Sequence, residues 1–146
     1  MRSETAISKR NRVIAYALTQ LHETDPSMYW QDVLGYVPSK KIYWCGAFVL
    51  WVLRSVLAVP WKWVVGKGFL WVDDDGRPLS VPRLPIVSRP AIGDIAFFEE
   101  PYGHYALVEE VDGNDVKLIA GNTPDVDRST VKLSSATSYY SIAPLL

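Results

Sequence analysis

The sequence predicts an α+β fold in which N-terminal helices pack on an antiparallel sheet of five to six strands. Apolar residues recur with a helical period in the first part of the chain. From Ile92 onward they alternate with a period of two, as in strands that bury one face. Helices and strands thus occupy separate parts of the chain, which is typical of α+β domains rather than of βαβ repeats. A length of 146 residues corresponds to a single domain, spanning residues 1–146.

Three helices are predicted before the first strand. Residues 5–22 carry apolar side chains on one face and Lys and Arg on the other. Asp25 and Pro26 are typical of a helix start, with Asp as the N-cap and Pro at the first helical position, and Gly35 ends this short helix. Residues 45–58 are apolar on nearly all sides, which indicates a helix buried in the core.

The strands follow a stretch that is rich in turn residues. Residues 61–92 contain repeated Pro and Gly, which predict loops around one or two short extended pieces. The pattern beyond them predicts strands at 94–98, 104–111, 115–120, 131–133 and 139–142. Between the second and third of these strands, residues 112–114 (Asp-Gly-Asn) are typical of a hairpin turn.

Composition and charge exclude several classes of protein. The chain has one cysteine, so an internal disulfide is impossible. Residues 1–67 carry nine Lys and Arg against four Asp and Glu, and residues 68–146 carry six against twelve. Neither part has a dense basic run with interleaved aromatics, so nucleic-acid binding is not supported. No apolar stretch is long enough for a signal peptide at the N-terminus or for a membrane span. We expect a monomer that is made in the cytoplasm and is not stably inserted in a membrane.

Three residues together suggest nucleophilic catalysis. Cys45 lies at the predicted start of the buried helix, where free N–H groups and the helix macrodipole should lower the pKa of the thiol. His104 follows Gly103 at the start of a strand, and Asn122 follows the next strand, so the hairpin should bring them close together. Cys, His and Asn form one known type of catalytic triad. Each also has a structural interpretation, as a buried apolar Cys, a hydrogen-bonding His and a turn Asn.

No metal or cofactor is expected from the sequence. Residues 73–76 (Asp-Asp-Asp-Gly) lack the alternating oxygen ligands of a calcium loop and are typical of a solvated turn. No His or Cys residues have the spacing of a zinc site.

Five segments of the chain resemble the CHAP family of cysteine amidases and peptidases, relatives of the NlpC-type enzymes with a papain-like fold. They are Tyr29-Trp30, Trp44-Cys45-Gly46-Ala47-Phe48-Val49, Pro90-Ala91-Ile92-Gly93-Asp94-Ile95-Ala96-Phe97-Phe98, Gly103-His104-Tyr105-Ala106-Leu107-Val108-Glu109 and Ala120-Gly121-Asn122-Thr123. The resemblance extends over roughly residues 10–142. It implies a peptidoglycan hydrolase with Cys45 as nucleophile, His104 as base and Asn122 as the third residue. Where family members often carry a Glu, two residues before the Asn, this chain has Ala120.

The resemblance leaves several alternatives open. The substrate bond is that of an N-acetylmuramoyl-L-alanine amidase or of a stem-peptide endopeptidase. The context is that of a phage lysis enzyme, with a holin for access, or of an effector delivered to a rival cell's periplasm, with a cognate immunity protein. The rival hypothesis is a catalytically inactive wall-binding or virion-structural module with the same fold. If Asn122 is not the third residue, the acidic residues of the neighbouring strands are the next candidates, Glu109 first.

Overall fold

The computed structural model describes residues 4–65, 68–70, 79, 81–100, 103–121 and 124–146, with the backbone alone at 68–70. Its elements in chain order are α1 (Ala6–Leu18), α2 (Ser27–Val33), α3 (Cys45–Leu57), β1 (Lys62–Val64), β2 (Gly68–Leu70), β3 (Ile86–Val87), β4 (Ile95–Phe98), β5 (His104–Asp112), β6 (Asp115–Gly121), β7 (Val126–Lys132) and β8 (Ser138–Tyr140). The predicted α+β class, with N-terminal helices packed on an antiparallel sheet, is confirmed.

Six of the strands form one antiparallel sheet in the order β3-β8-β4-β5-β6-β7, while β1 and β2 pair as a separate hairpin. The predicted turn joins β5 to β6, and Gly113 adopts φ +60° there, a left-handed conformation that glycine tolerates without strain. Strands β4, β5 and β6 are therefore neighbours, which places the start of β5 between the end of β4 and the end of β6.

The core lies between the helices and one face of this sheet. Every residue of α3 from Cys45 to Leu53 is buried, as its apolar sequence predicts. The face of the sheet that packs on the helices includes Ile95, Leu107 and Ile119. The opposite face carries a smaller apolar cluster: Ala96, Ala106, Val108, Val116, Leu118 and Tyr139.

A buried carboxylate ties the N-terminal helix to the sheet. Asp94 is 2% exposed, and its side chain accepts hydrogen bonds from the Arg10 guanidinium at 2.8 Å and from the N–H groups of Ala91 and Ile142 at 2.8 and 2.9 Å. A buried charge is stable only when its oxygens are satisfied in this way. Asp94 therefore fixes α1, the start of β4 and the C-terminal segment relative to one another.

Three boundaries differ from the prediction. Helix α1 ends at Leu18 rather than at residue 22. Asp25 does accept a hydrogen bond from the Ser27 N–H at 2.9 Å, but α2 begins one residue later than predicted, with Pro26 at the N-cap. Strand β7 spans Val126–Lys132 rather than 131–133, because four of its seven residues are consecutive and exposed and give no period-two pattern.

Three further points concern the rest of the chain. The short extended pieces expected in residues 61–92 are β1, β2 and β3. The turn predicted at residues 73–76 lies outside the described residues. Within the described ranges no helix has the length and apolar character to cross a membrane.

Candidate active site

Cys45 is the first residue of α3, as predicted. Trp44 is the N-cap, and its carbonyl accepts the first helical hydrogen bond from the Phe48 N–H at 3.0 Å. The N–H groups of the first turn consequently have no helical carbonyl to bind. The Cys45 side chain is 3% exposed, and its Sγ donates to the Gly103 carbonyl at 3.8 Å.

His104 is the first residue of β5, again as predicted. It pairs with Phe98 of β4, and the centroids of the two rings are 5.8 Å apart. The Nδ1 atom of the imidazole is buried. The sulfur of Cys45 lies against the backbone on both sides of this histidine, because the N–H of Tyr105 interacts with it as the carbonyl of Gly103 does. The structure thus brings Cys45 to the start of the strand that bears His104.

The backbone directions along β5 show which side of the strand the sulfur occupies. Val108 donates its N–H to the Asp94 carbonyl at 2.8 Å, so its backbone groups face the β4 side. These directions alternate along a strand, so the groups of Gly103 and Tyr105 face the β6 side. The sulfur of Cys45 therefore lies at the β6 side of the first residues of β5.

Burial dominates the protonation of both side chains. Removal from water raises the pKa of the Cys45 thiol above its usual value, although the N–H groups of Tyr105, Gly46 and Cys45 act in the opposite direction. Burial also lowers the pKa of His104. The expectation of a lowered thiol pKa at the helix N-terminus is therefore wrong in its net direction, because desolvation exceeds the effect of the N–H groups. Near neutral pH these shifts favour an uncharged thiol and an uncharged imidazole.

Aromatic rings cover the helix N-terminus. A Cβ on Gly46 would lie only 2.3 Å from Cη2 of Trp63, so the absence of a side chain allows the indole to rest directly on the helix backbone. Trp63 meets the Tyr105 ring edge-to-face at 6.1 Å, and Tyr105 contacts Phe97 at 5.0 Å. No role was predicted for Trp63, since its segment was expected to be mainly loop. The signal that could have found it is Gly46, the only glycine in a buried helix that is otherwise mostly apolar.

The third predicted residue, Asn122, lies outside the described residues, and its role stays a prediction. Ala120, which replaces the Glu often found in the family, pairs with Asp127 across β6 and β7. The alternative candidate Glu109 accepts hydrogen bonds from Arg128 through both carboxylate oxygens, at 3.0 and 2.6 Å, so both oxygens already have a cationic partner. In the described part of the chain, no three His, Cys, Asp or Glu side chains are grouped to hold a metal ion.

Comparison with known proteins identifies the class. The CHAP domain family profile matches residues 37–122, more than half of the chain, and the chain belongs to the CHAP domain family. CHAP domains are generally peptidoglycan hydrolases of the cysteine type. The matched residues include Cys45, His104 and Asn122.

One solved structure is similar over most of the chain. The match to "X-ray Crystal Structure of PlyC" has a TM-score of 0.45 and 20% identity, and it covers 92% of this chain but 36% of that chain. This chain therefore spans little more than a third of the length of that structure. No curated protein matches the chain significantly.

Proposed function

We propose that this protein is an active cysteine hydrolase that cleaves an amide bond of peptidoglycan, either the N-acetylmuramoyl-L-alanine amide or a bond within the stem peptide. The observation that supports this proposal best is the position of the Cys45 sulfur. It lies at the N-terminus of α3 and against the backbone on both sides of His104. Acyl transfer by a cysteine needs a base within reach of the thiol, and His104 is the residue of this backbone segment that carries an imidazole.

The proposed reaction starts from the uncharged pair. His104 accepts the thiol proton as the sulfur of Cys45 attacks the amide carbonyl carbon, which forms a tetrahedral intermediate. The N–H of Cys45 at the helix end would donate to the oxyanion. When the intermediate collapses, the C–N bond breaks and the imidazolium protonates the departing amine. Water, deprotonated by His104, then hydrolyses the thioester and restores the thiol.

Asn122 has the supporting role in this proposal. Its side-chain carbonyl would accept a hydrogen bond from the imidazole and so hold the tautomer that presents the other nitrogen to the sulfur. Asn122→Ala should therefore lower kcat by roughly 10–1,000-fold with little change in KM.

The test is the clearing of purified cell walls by the wild-type protein and by Cys45→Ala. The wild type should reduce the turbidity, and Cys45→Ala should be inactive with nearly the same melting temperature, since loss of one sulfur removes little packing compared with the ~2–5 kcal/mol of large core truncations. A Cys45→Ala protein that still clears walls would exclude this nucleophile. Mass spectrometry of the products distinguishes the two bonds: intact stem peptides freed from glycan indicate the amidase, and shortened stems or split cross-links indicate the endopeptidase.

A second candidate function is a wall-binding module without catalysis. The burial of the thiol, the raised thiol pKa and Ala120 at the position of the usual Glu favour it. Such a module would co-sediment with cell walls, release no soluble fragments, and bind equally well as Cys45→Ala. The proposal of an active enzyme includes two contexts: release through a holin during phage lysis, or injection as an effector with a cognate immunity protein. Both contexts presuppose activity, because only an active enzyme would damage the cell wall of its producer.

A further inference from the structure

A cavity of about 300 Å³ is lined in part by Trp44, the residue that precedes Cys45. It lies between the start of α2, the loop that leads to α3 and Pro124. Its lining residues are Thr24, Pro26, Trp30, Val37, Pro38, Ser39, Lys40, Lys41, Ile42, Trp44 and Pro124. The volume is at the lower end of the range typical of small-ligand sites.

Trp44 connects the cavity to the candidate nucleophile, Cys45. Trp44 lines the cavity and directly precedes Cys45, so the two α-carbons are about 3.8 Å apart. The indole is 2% exposed and stacks on Tyr29 with centroids 5.7 Å apart. On its other side it packs so closely on Gly121 that a Cβ there would lie 2.5 Å from the ring. A group bound in the cavity would therefore be held at a fixed distance from the sulfur.

The charges around the cavity have one sign. Lys40 and Lys41 are exposed, and among the described residues of the lining they are the only charged ones, with no carboxylate beside them. Within the part of the chain that the structure describes, neither lysine forms an ion pair. The rest of the wall combines apolar rings with the hydroxyl groups of Thr24 and Ser39. Two cations above an apolar floor suit a short peptide segment that carries a carboxylate.

We propose that this cavity is a substrate subsite in which Lys40 and Lys41 bind a free carboxylate of the stem peptide. The inference rests on the proposed function, since stem peptides carry carboxylates on side chains and at their ends. The lysines select which stems are cleaved and hold the scissile amide next to Cys45. They take no part in the bond-breaking step.

The test compares a soluble disaccharide–peptide fragment with free carboxylates with the same fragment in carboxamide form. The wild type should prefer the carboxylate form, and the double variant Lys40→Gln/Lys41→Gln should lose that preference. We expect KM for the carboxylate form to rise about 5- to 30-fold, with kcat little changed, because the lysines contribute binding rather than chemistry. The preference should weaken with salt, as screened charge pairs do. Lys132→Gln, which removes an exposed lysine on β7, is the matched control and should behave as wild type.

A binding measurement on Cys45→Ala separates this inference from the proposed function. Titration calorimetry with the carboxylate fragment should give binding that disappears when Lys40 and Lys41 are also changed to Gln. If the wild type hydrolyses both fragments equally and the double variant matches it, the subsite is refuted and the hydrolase proposal stands. If nothing is hydrolysed but the lysine-dependent binding remains, the hydrolase proposal fails and the subsite stands. Equal binding of both fragments by the protein with and without the lysines overturns the inference in either case.

Discussion

Replacement of Gly121 by alanine tests how the sheet positions the helix that begins with Cys45. Gly121 is the last residue of β6, and a Cβ there would lie 2.5 and 2.7 Å from two ring atoms of Trp44 and 2.8 Å from Cβ of Phe48. Neither neighbour can easily move, because Trp44 is stacked and buried and the Cβ of Phe48 is fixed to the helix backbone. Gly121→Ala must therefore shift the N-terminal turn of α3 away from the sheet.

The size of the effect follows from two opposing contributions. Overpacking of a core costs about 1–3 kcal/mol, while Gly to Ala restricts the unfolded chain and stabilises the fold by about 0.4–1 kcal/mol. The net loss of about 1–2 kcal/mol in the free energy of unfolding corresponds to a melting temperature lower by about 2–8 °C in a domain of this size. A displacement of the Cys45 sulfur by about 1 Å can cost on the order of 100-fold in rate. We expect kcat/KM to fall by about 10- to 100-fold, far more than the loss of stability alone would cause.

The measurements are the melting temperature by circular dichroism and the rate of wall clearing at a temperature where both proteins are folded. Gly103→Ala is the matched control for stability, since among the described residues its Cβ would meet only Cε1 of Phe97, at an ordinary 3.6 Å. That variant should melt within a degree or two of the wild type. Wild-type stability and wild-type activity in Gly121→Ala would refute the inference that Gly121 sets the position of α3.

Three further predictions concern the cover of the thiol, the buried carboxylate and pH. Trp63→Ala should make Cys45 react several-fold faster with iodoacetamide in the folded protein, because the indole that covers the helix N-terminus is gone; an unchanged rate would show that Trp63 does not limit access. Asp94→Ala should lower the free energy of unfolding by about 3–5 kcal/mol in denaturant titrations, since the Arg10 guanidinium, which is only 15% exposed, loses its carboxylate and the N–H groups of Ala91 and Ile142 lose their acceptor; a loss below about 1 kcal/mol would contradict this role. Because the pKa of His104 is lower in the folded protein than in the unfolded chain, the unfolded chain binds more protons than the folded protein below about pH 6.5. The folded protein should therefore lose stability as the pH is lowered through this range, and His104→Gln should lose less. Parallel curves of melting temperature against pH for the two proteins would exclude His104 as the source.

The positions of helices and strands were predicted correctly where a local hydrophobic pattern determines the structure. The all-apolar segment after Trp44 gave α3 with its first residue, and the alternation after Ile92 gave β4, β5 and β6 to within a residue. The hairpin of β5 and β6 predicted only that His104 and Asn122 lie close together, whereas the grouping of Cys45 with them rested on the residue types and on the resemblance to the CHAP family. The limits of β7 could not be predicted, because its consecutive exposed residues carry no alternation.

Contacts between segments that are distant in the chain could not be predicted from sequence patterns. The position of Trp63 on Gly46 depends on how the β1–β2 hairpin folds over α3, and no periodicity records it. The lysines of the proposed subsite were visible only as a charged loop, since the cavity exists only once Trp44 and Pro124 are brought together.

The sign of the thiol pKa shift connects these observations to the proposed chemistry. The helix N-terminus does supply N–H groups to the sulfur, as its position predicts, but the burial of Cys45 withholds the water that a thiolate needs. The same burial lowers the pKa of His104, so the imidazole is free to accept a proton when the sulfur attacks. A resting pair without charge is less exposed to oxidation than a preformed thiolate, because the thiolate is the reactive form. In the resting state the N–H of Cys45 offsets only part of the rise in thiol pKa that burial causes. In the proposed reaction the same N–H donates to the oxyanion, whose charge develops only in the transition state.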